Sequence, residues 1–332
     1  MSSRIALLQA NPVVGEIQGN SEMIVEMAKL ASDNGACFAV TTELAISGYP
    51  PRDLLLQADF VEECHDTAKN LQTEIPVLVG TPVPPSSSRT LPGNGVVRAG
   101  DAVREVTRKQ LLPTYDVFDE ARYFEADERP GIARTIAGLD IGVTICEDAW
   151  QHCGETPNDY DSDPIAQIVE WGRQGVVLHA TVNLSASPYH ANKSGTRLAV
   201  ARSAAESLDH PFLLVNQVGG NDDLLFDGRS IIAWPDGRAV VAPAWTEGVL
   251  LADLSSPQEC IWLGEGEVTL LQPGEVLTDA EDDLLDAIII GLSDYCKKSG
   301  ISKIVLGLSG GIDSALAACV ASAAVGPQNV TG

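Results

Sequence analysis

Short apolar runs alternate with amphipathic stretches along most of the chain. IALLQ (5–9), CFAVTTE (37–43), PVLVGTPV (76–83), GVTICED (142–148), VVLHATVNLS (176–185) and FLLVNQV (212–218) predict strands buried on at least one face. Between them, 20–35 carries Ile24, Met27 and Leu30 at helical spacing, and 194–209 carries Leu198, Ala201 and Ala205 similarly. Strand and helix in alternation imply an α/β layered domain.

Turn residues add antiparallel pairs to this plan. Gly100-Asp101 lies between two strand-like runs in 92–109, and Pro-Asp-Gly marks a turn within 230–244. The pattern changes near 255: the stretch 255–275 has no clear period and contains Pro257, Pro273 and several glycines, so it reads as a connector. A helix is expected next, with Asp279 or a neighbour near its start and Leu285, Ile288, Ile289, Leu292 and Tyr295 as its buried stripe. The strand IVLGL (304–308) and a helix over 314–325 follow. One strand and one crossover helix cannot cover their own apolar faces, so this last segment is expected to be the opening of a larger domain.

Composition narrows the function classes. Of 332 residues, 21 are Lys or Arg and 46 are Asp or Glu, a formal charge of −25. A phosphate backbone or anionic membrane surface needs a cationic footprint, so nucleic acid and membrane are not expected partners. The longest apolar runs fall far short of the ~20 residues a membrane helix needs. Seven cysteines without a C-x-x-C pair argue against a disulfide framework or ribbon-type zinc site, and a reducing cytoplasm is the expected setting.

Among those cysteines, Cys146 stands apart because it ends a strand, where α/β sheets place ligands. Cys37, Cys64, Cys260, Cys296 and Cys319 read as buried structural residues. Glu147 and Asp148 beside Cys146 oppose a thiolate, so the thiol needs a cation or a base. His152 is one candidate, as half of a Cys–His dyad or within a small metal cluster with Cys153, although no ligand spacing supports a metal. The other candidate is a carboxylate.

TTELAISGYPPRDLL (41–55), RKQLLPTYDVFDEARYF (108–124) and GVTICEDAW (142–150) resemble the three active-site segments of the nitrilase, or carbon–nitrogen hydrolase, superfamily. More narrowly they resemble the glutaminase domain of the glutamine-dependent NAD synthetase family, as do QANPVVGEIQGN (9–20), NLSASPYH (183–190) and NQVGGNDDLLFDGRS (216–230). The resemblance implies a catalytic triad of Glu43, Lys109 and Cys146, with Glu120 as a possible fourth member or a plain salt-bridge partner of Arg122. It implies glutamine binding around Tyr115, Glu147, Trp150, Ser187 and Lys193, and hydrolysis through a γ-glutamyl thioester without a cofactor. The chemistry is self-consistent: a carboxylate screened from water can take the thiol proton, and an ammonium can hold the developing oxyanion. Thr114 and Arg52 depart from common family wording, where asparagine and an acid are frequent.

After IVLGL comes Ser309-Gly310-Gly311-Ile312-Asp313-Ser314, then a helix. Glycines admit phosphate oxygens close to the backbone, serines donate to them, and the helix start adds exposed N–H groups. Asp313 could hold Mg²⁺ on a pyrophosphate; a plain βα turn capped by Asp313 or Ser314 is the simpler alternative. The loop resembles that of ATP pyrophosphatases, which implies ATP binding through Ser309, Gly310, Gly311, Asp313 and Ser314. Together the resemblances imply a nitrilase-like α-β-β-α sandwich over 1–256, a linker over 257–275, and over 276–332 the truncated start of a doubly wound, adenine nucleotide alpha hydrolase-like domain. The implied activity of the complete enzyme is conversion of nicotinic acid adenine dinucleotide, ATP and glutamine-derived ammonia to NAD, in a homo-oligomer. A stand-alone amidase on another small amide and a non-catalytic acidic scaffold are the rival readings.

Overall fold

The computed structural model describes residues 4–86, 89–135, 138–157, 159–279 and 283–332. In chain order the elements are β1 (Arg4–Gln9), α1 (Ile17–Asp33), β2 (Phe38–Val40), α2 (Ala58–Asn70), β3 (Val77–Val83), β4 (Gly93–Ala99), β5 (Arg104–Arg108), β6 (Gly131–Arg134), β7 (Asp140–Ile145), α3 (Pro164–Arg173), β8 (Ala180–Ser185) and α4 (Lys193–Leu208). They continue with β9 (Phe212–Asn216), β10 (Val218–Asn221), β11 (Leu224–Asp227), β12 (Ile231–Ala233), β13 (Ala239–Val241), β14 (Gly248–Asp253), β15 (Ile261–Gly264), β16 (Thr269–Leu271), α5 (Asp283–Lys298), β17 (Ile304–Val305), α6 (Ile312–Val325) and β18 (Val330–Thr331).

Two seven-stranded sheets, ordered β15-β14-β1-β2-β3-β4-β5 and β16-β13-β12-β9-β8-β7-β6, stack face to face. Between them lies a dry core that includes Leu7, Phe38, Leu78, Val143, Val182, Leu213 and Ile232. On its outer face the first sheet packs against α1 and α2 through residues such as Ile24, Ala28, Cys64 and Ala68. The second is covered by α3 and α4 through Ile165, Ile168, Leu198, Ala201 and Ala205. Strands covered on both faces need unbroken apolar runs, which is why IALLQ and VLVGTPV read as strands at sight. The layers are the expected α-β-β-α sandwich.

The structure differs from the sequence reading at four places. Residues expected as a connector contain β15, paired with β14, and β16, paired with β13. Each is a short edge strand with only part of one face covered, so it shows no period. Val176–His179, read as the start of a strand, precede β8, and Val177 is 70% exposed. The largest departure is α5: of the expected stripe, Leu285, Ile288 and Tyr295 are exposed and Ile289 and Leu292 half-buried, while Asp283, Ala287, Asp294 and Cys296 are buried. The buried side of this helix includes two aspartates. Past it, β17 and β18 pair in parallel around α6, so a second strand completes a βαβ unit. Its two residues are too few to register as a pattern. Among the described residues no helix is long and apolar enough to cross a membrane.

Candidate active site

Glu43 lies just past β2, where the chain turns sharply and Leu44 adopts φ +49°. The turn presses on β3: a Cβ at Gly80 would run into the Thr42 carbonyl and lie 2.6 Å from Leu44 N. Only glycine allows that approach. The Glu43 carboxylate is 1% exposed, accepting from Asn94 Nδ2 at 2.7 Å, Lys109 Nζ at 2.8 Å and Ala186 N at 3.1 Å. Lys109, fully buried at the end of β5, also donates to Glu120 Oε1 at 2.8 Å. Tyr49 OH donates to the same Glu120 oxygen at 2.9 Å. One ammonium is thus shared by two buried carboxylates, while Arg122, the alternative partner for Glu120, pairs with Asp119 instead.

Cys146 follows β7 in a left-handed conformation, φ +44°, that a non-glycine residue adopts only under constraint. The constraint is Asp148, whose carboxylate accepts from Ile145 N at 3.0 Å, Gln110 N at 3.0 Å and Leu111 N at 2.9 Å. It therefore ties the turn bearing Cys146 to the strand end bearing Lys109. Asn183 Nδ2 adds a bond to the Cys146 carbonyl at 3.2 Å. Burial pushes the Cys146 thiol well up, the Glu43 charge adds to this, and Lys109 pulls the other way. The resting group is a thiol. Burial likewise raises Glu120 to about 7 against the pull of Lys109, and Asp148 to about 7 against three backbone N–H groups.

The thiol faces a cleft of about 590 Å³ lined by Tyr115, Glu147, Trp150, Ser187 and Lys193 among others. Glu147 accepts from Tyr115 OH at 2.7 Å and Tyr160 OH at 3.2 Å. Lys193 Nζ lies 4.4 Å from the Trp150 ring centroid, over its face, and burial lowers its pKa. An anion and a cation are therefore held at one cleft, as an α-amino acid requires. Arg52 bonds Asp223 Oδ1 at 2.7 Å on the cleft rim, and Thr114 is exposed.

His152 is not a partner of the thiol. Its ring nitrogens bond Asp163 Oδ2 and Ser207 Oγ, each at 2.8 Å, and Cys153 Sγ donates to the Trp150 carbonyl. Among the described residues no cluster of three or more His, Cys, Asp or Glu could hold a metal. The remaining cysteines are buried as expected except Cys319, which is exposed. Sequence reasoning passed over Tyr49, Asn94, Asp148, Tyr160 and Asn183. Tyr160 sits in an acidic stretch with no period, and Asp148 read only as a charge opposed to the thiolate. Nothing in one sequence marks Asn94 or Asn183.

The carbon–nitrogen hydrolase family profile matches residues 4–259, more than half of the chain. The chain belongs to that family. A second profile, NAD synthase, matches residues 284–332 of this carbon–nitrogen hydrolase. Over 99% of its length the chain is 39% identical to the glutamine-dependent NAD(+) synthetase of Synechocystis sp. and 35% identical to that of Xanthomonas campestris, spanning 58% and 56% of those proteins. Among solved structures it is similar to the Acinetobacter baumannii glutamine-dependent NAD+ synthetase in complex with ADP (28% identity, TM-score 0.81, 98% of this chain and 58% of that one). A Nesterenkonia amidase shares the sandwich fold of the hydrolase (21% identity, TM-score 0.59, 76% of this chain and 89% of that one).

In the NAD-synthase-like part, Ser309 to Asp313 are exposed and Ser314 is half-buried ahead of and within the first turn of α6. Gly310 has φ +84° with no heavy atom within 4 Å of where a Cβ would sit. Ser309 Oγ accepts from Gly311 N at 3.3 Å and lies 3.2 Å from Ser314 Oγ. An open loop of small residues and hydroxyls at a helix start fits a polyphosphate.

Proposed function

We propose that the cleft hydrolyses the side-chain amide of L-glutamine, with Cys146 as nucleophile, Glu43 as general base and Lys109 as the charge that holds the oxyanion. The observation that carries this reading is the buried ammonium shared between Glu43 and Glu120 beside the Cys146 thiol. As Sγ attacks the carboxamide carbon, the thiol proton passes to Glu43. The tetrahedral oxyanion is held by Lys109 and the backbone N–H after Cys146. Glu43 then delivers the proton to the leaving nitrogen and ammonia departs, leaving a γ-glutamyl thioester. Water attacks the thioester carbon, giving its proton to Glu43, and expulsion of the thiolate, which recovers that proton, releases glutamate. No cofactor enters these steps. Because the resting group is a thiol, it stays largely unreactive until substrate brings the carbonyl within reach.

Glu147 with Tyr115 and Tyr160 suits the α-ammonium of glutamine, and Lys193 over Trp150 suits the α-carboxylate. This places the amide at a fixed distance from the amino-acid head. Asparagine, one methylene shorter, and simple amides lacking the head should turn over at least about 100-fold more slowly in kcat/KM. Ammonia release across such a panel checks this; equal rates on simple amides would favour the stand-alone amidase.

The similarity to glutamine-dependent NAD(+) synthetases along the whole chain supports a place for this activity in that larger reaction. On this reading ammonia amidates nicotinic acid adenine dinucleotide activated by ATP, in a homo-oligomer in the cytoplasm, with the glutaminase running beyond residue 256 to take in the edge strands β15 and β16, and 276–332 as part of the ATP domain. Ser309, Gly310, Gly311, Asp313 and Ser314 would hold ATP. Asp313 would take Mg²⁺, which needs one carboxylate and the nucleotide's own phosphates rather than a protein cage. Magnesium would neutralise the leaving pyrophosphate.

Glu120 sets the pH response. Its carboxyl titrates near 7 because burial outweighs Lys109. Below that value it is neutral, Lys109 binds Glu43 alone, and the base is weakened. Glutaminase kcat/KM should therefore rise about tenfold through pH 7 in the native chain. In Glu120→Gln it should stay flat at the low level; a pH–rate profile that keeps the limb in this variant would assign it to Asp148, which burial also raises to about 7.

A further inference from the structure

We infer that α5, the first helix of the NAD-synthase-like segment, is a positioning element of the hydrolase cleft, acting through buried charges at its two ends. The docking chemistry is the first sign. The helix buries Asp283, Ala287, Asp294 and Cys296, half-buries Ile289 and Leu292, and leaves Leu284, Leu285, Ile288 and Tyr295 exposed. Mere attachment would be served by the apolar stripe, because hydrophobic contact is non-directional. Charge-assisted hydrogen bonds fix direction as well as contact.

At the N-terminal end, Asp283 accepts from Arg229 Nη2 at 2.6 Å and Trp245 Nε1 at 3.0 Å. Arg229 also donates to Asp227 Oδ2 at 3.1 Å, and Asp227 is gripped by both terminal nitrogens of Arg197 at 2.9 and 3.0 Å. Arg197 Nη2 donates to the carbonyl of Ser187, a residue lining the cleft, at 3.3 Å. Two arginines and two aspartates, none more than 7% exposed, form a neutral chain. Just before the helix, Asp279 accepts from Asn192 N at 2.6 Å and from the Ser194 hydroxyl, bracketing Lys193. The substrate side of the cleft is held from here.

At the C-terminal end, Asp294 accepts from Gly220 N at 2.7 Å and Asn11 Nδ2 at 2.9 Å. Lys298 donates to Asn11 Oδ1, Gly220 O and Asn221 Oδ1 at 2.6, 2.8 and 2.8 Å. Those contacts seize β10, whose hairpin partner β11 and connecting turn supply Asp223, Leu224 and Leu225 to the cleft. Asn221 Nδ2 then donates to the Tyr49 carbonyl at 3.0 Å, and the Tyr49 hydroxyl bonds Glu120. This end leads to the catalytic carboxylates. A displacement of α5 would thus reach substrate binding by one route and chemistry by the other.

The inference rests on glutamine as substrate for its kinetic readouts, so one arm of the test is independent of substrate. In the full chain, Asp283→Asn should raise KM for glutamine about fivefold with kcat within about twofold, and Lys298→Met should lower kcat about fivefold with KM little changed. Adding Arg229→Gln to Asp283→Asn should recover part of the KM loss, since the two side chains act as one pair. Lys298→Met should also change the rate of Cys146 alkylation by iodoacetamide about threefold, which needs no glutamine turnover. Should Asp283→Asn fail to fold, the Asp283→Asn/Arg229→Gln pair, which leaves no unmatched charge, carries that arm. Unchanged KM, kcat and alkylation rate in folded variants overturn the inference. So does a fall in activity that only tracks the fraction of titratable Cys146. Absent glutamine turnover in the native chain with an altered alkylation rate in Lys298→Met would instead sink the substrate assignment alone.

Discussion

Cys146→Ala should abolish the proposed glutamine hydrolysis, with an expected loss of about 10⁴-fold or more in kcat, because on that reading no other group forms the thioester. The fold should survive. Cys146 is 5% exposed, and exchanging its thiol for a methyl removes one small buried group, worth about 1 kcal/mol. The strained φ of +44° persists with alanine, so the backbone gains and loses nothing there. The turn itself is held by Asp148 through Ile145, Gln110 and Leu111, none of which involves the sulfur. Ammonia release and a thermal melt together separate the outcomes. Turnover above about one per cent of native in a folded variant would remove Cys146 as nucleophile, whereas lost activity with a collapsed melting transition would show only that the site is structural.

The parts of this molecule that were legible in its sequence are those governed by local periodicity or by residue chemistry at strand ends. The two central sheets announce themselves because strands covered on both faces must be apolar throughout. Glu43, Lys109 and Cys146 stand at the ends of β2, β5 and β7, and the family resemblance picked them out before any geometry did. What stayed hidden depends on long-range convergence. Asp148 serves by accepting three backbone N–H groups, two of them from a strand end 37 and 38 residues away, and no spacing rule encodes that. Tyr160 reaches Glu147 from a stretch with no period at all. The case of α5 is more instructive still: its apolar stripe is real, with Ile289 and Leu292 half-buried, yet the side that meets the hydrolase carries aspartates with buried arginine and backbone partners. An amphipathic pattern gives a helix two faces; it does not say which one meets the neighbour.

Lys109→Met should be both inactive and unstable, in a manner that depends on pH. The native ammonium is fully buried between Glu43 and Glu120, and removing it leaves two carboxylates facing each other without a counter-charge. Breaking a buried pair from one side costs about 3–5 kcal/mol. Even with Lys109 present, burial holds Glu120 at about 7, far above its unfolded value of 4.5. Loss of the lysine can only push it higher. A carboxyl whose folded pKa exceeds its unfolded one supports the folded state at low pH and opposes it as the pH climbs through the folded value. Relative to the native chain, in which Glu120 already titrates near 7, Lys109→Met should therefore melt nearly normally at about pH 5 to 6 and fall behind as the pH climbs from about 7 to 8. Adding Glu120→Gln removes one of the two stranded charges, and should return about 2 kcal/mol of that loss at the higher pH. It should not restore turnover, which stays down by about 10³-fold because the oxyanion still lacks its cation. Melts from pH 5 to 8 on the single and double variants check the sign. A deficit that is constant across that range would mean that Lys109 contributes packing rather than charge, and the catalytic role assigned to it would fall as well.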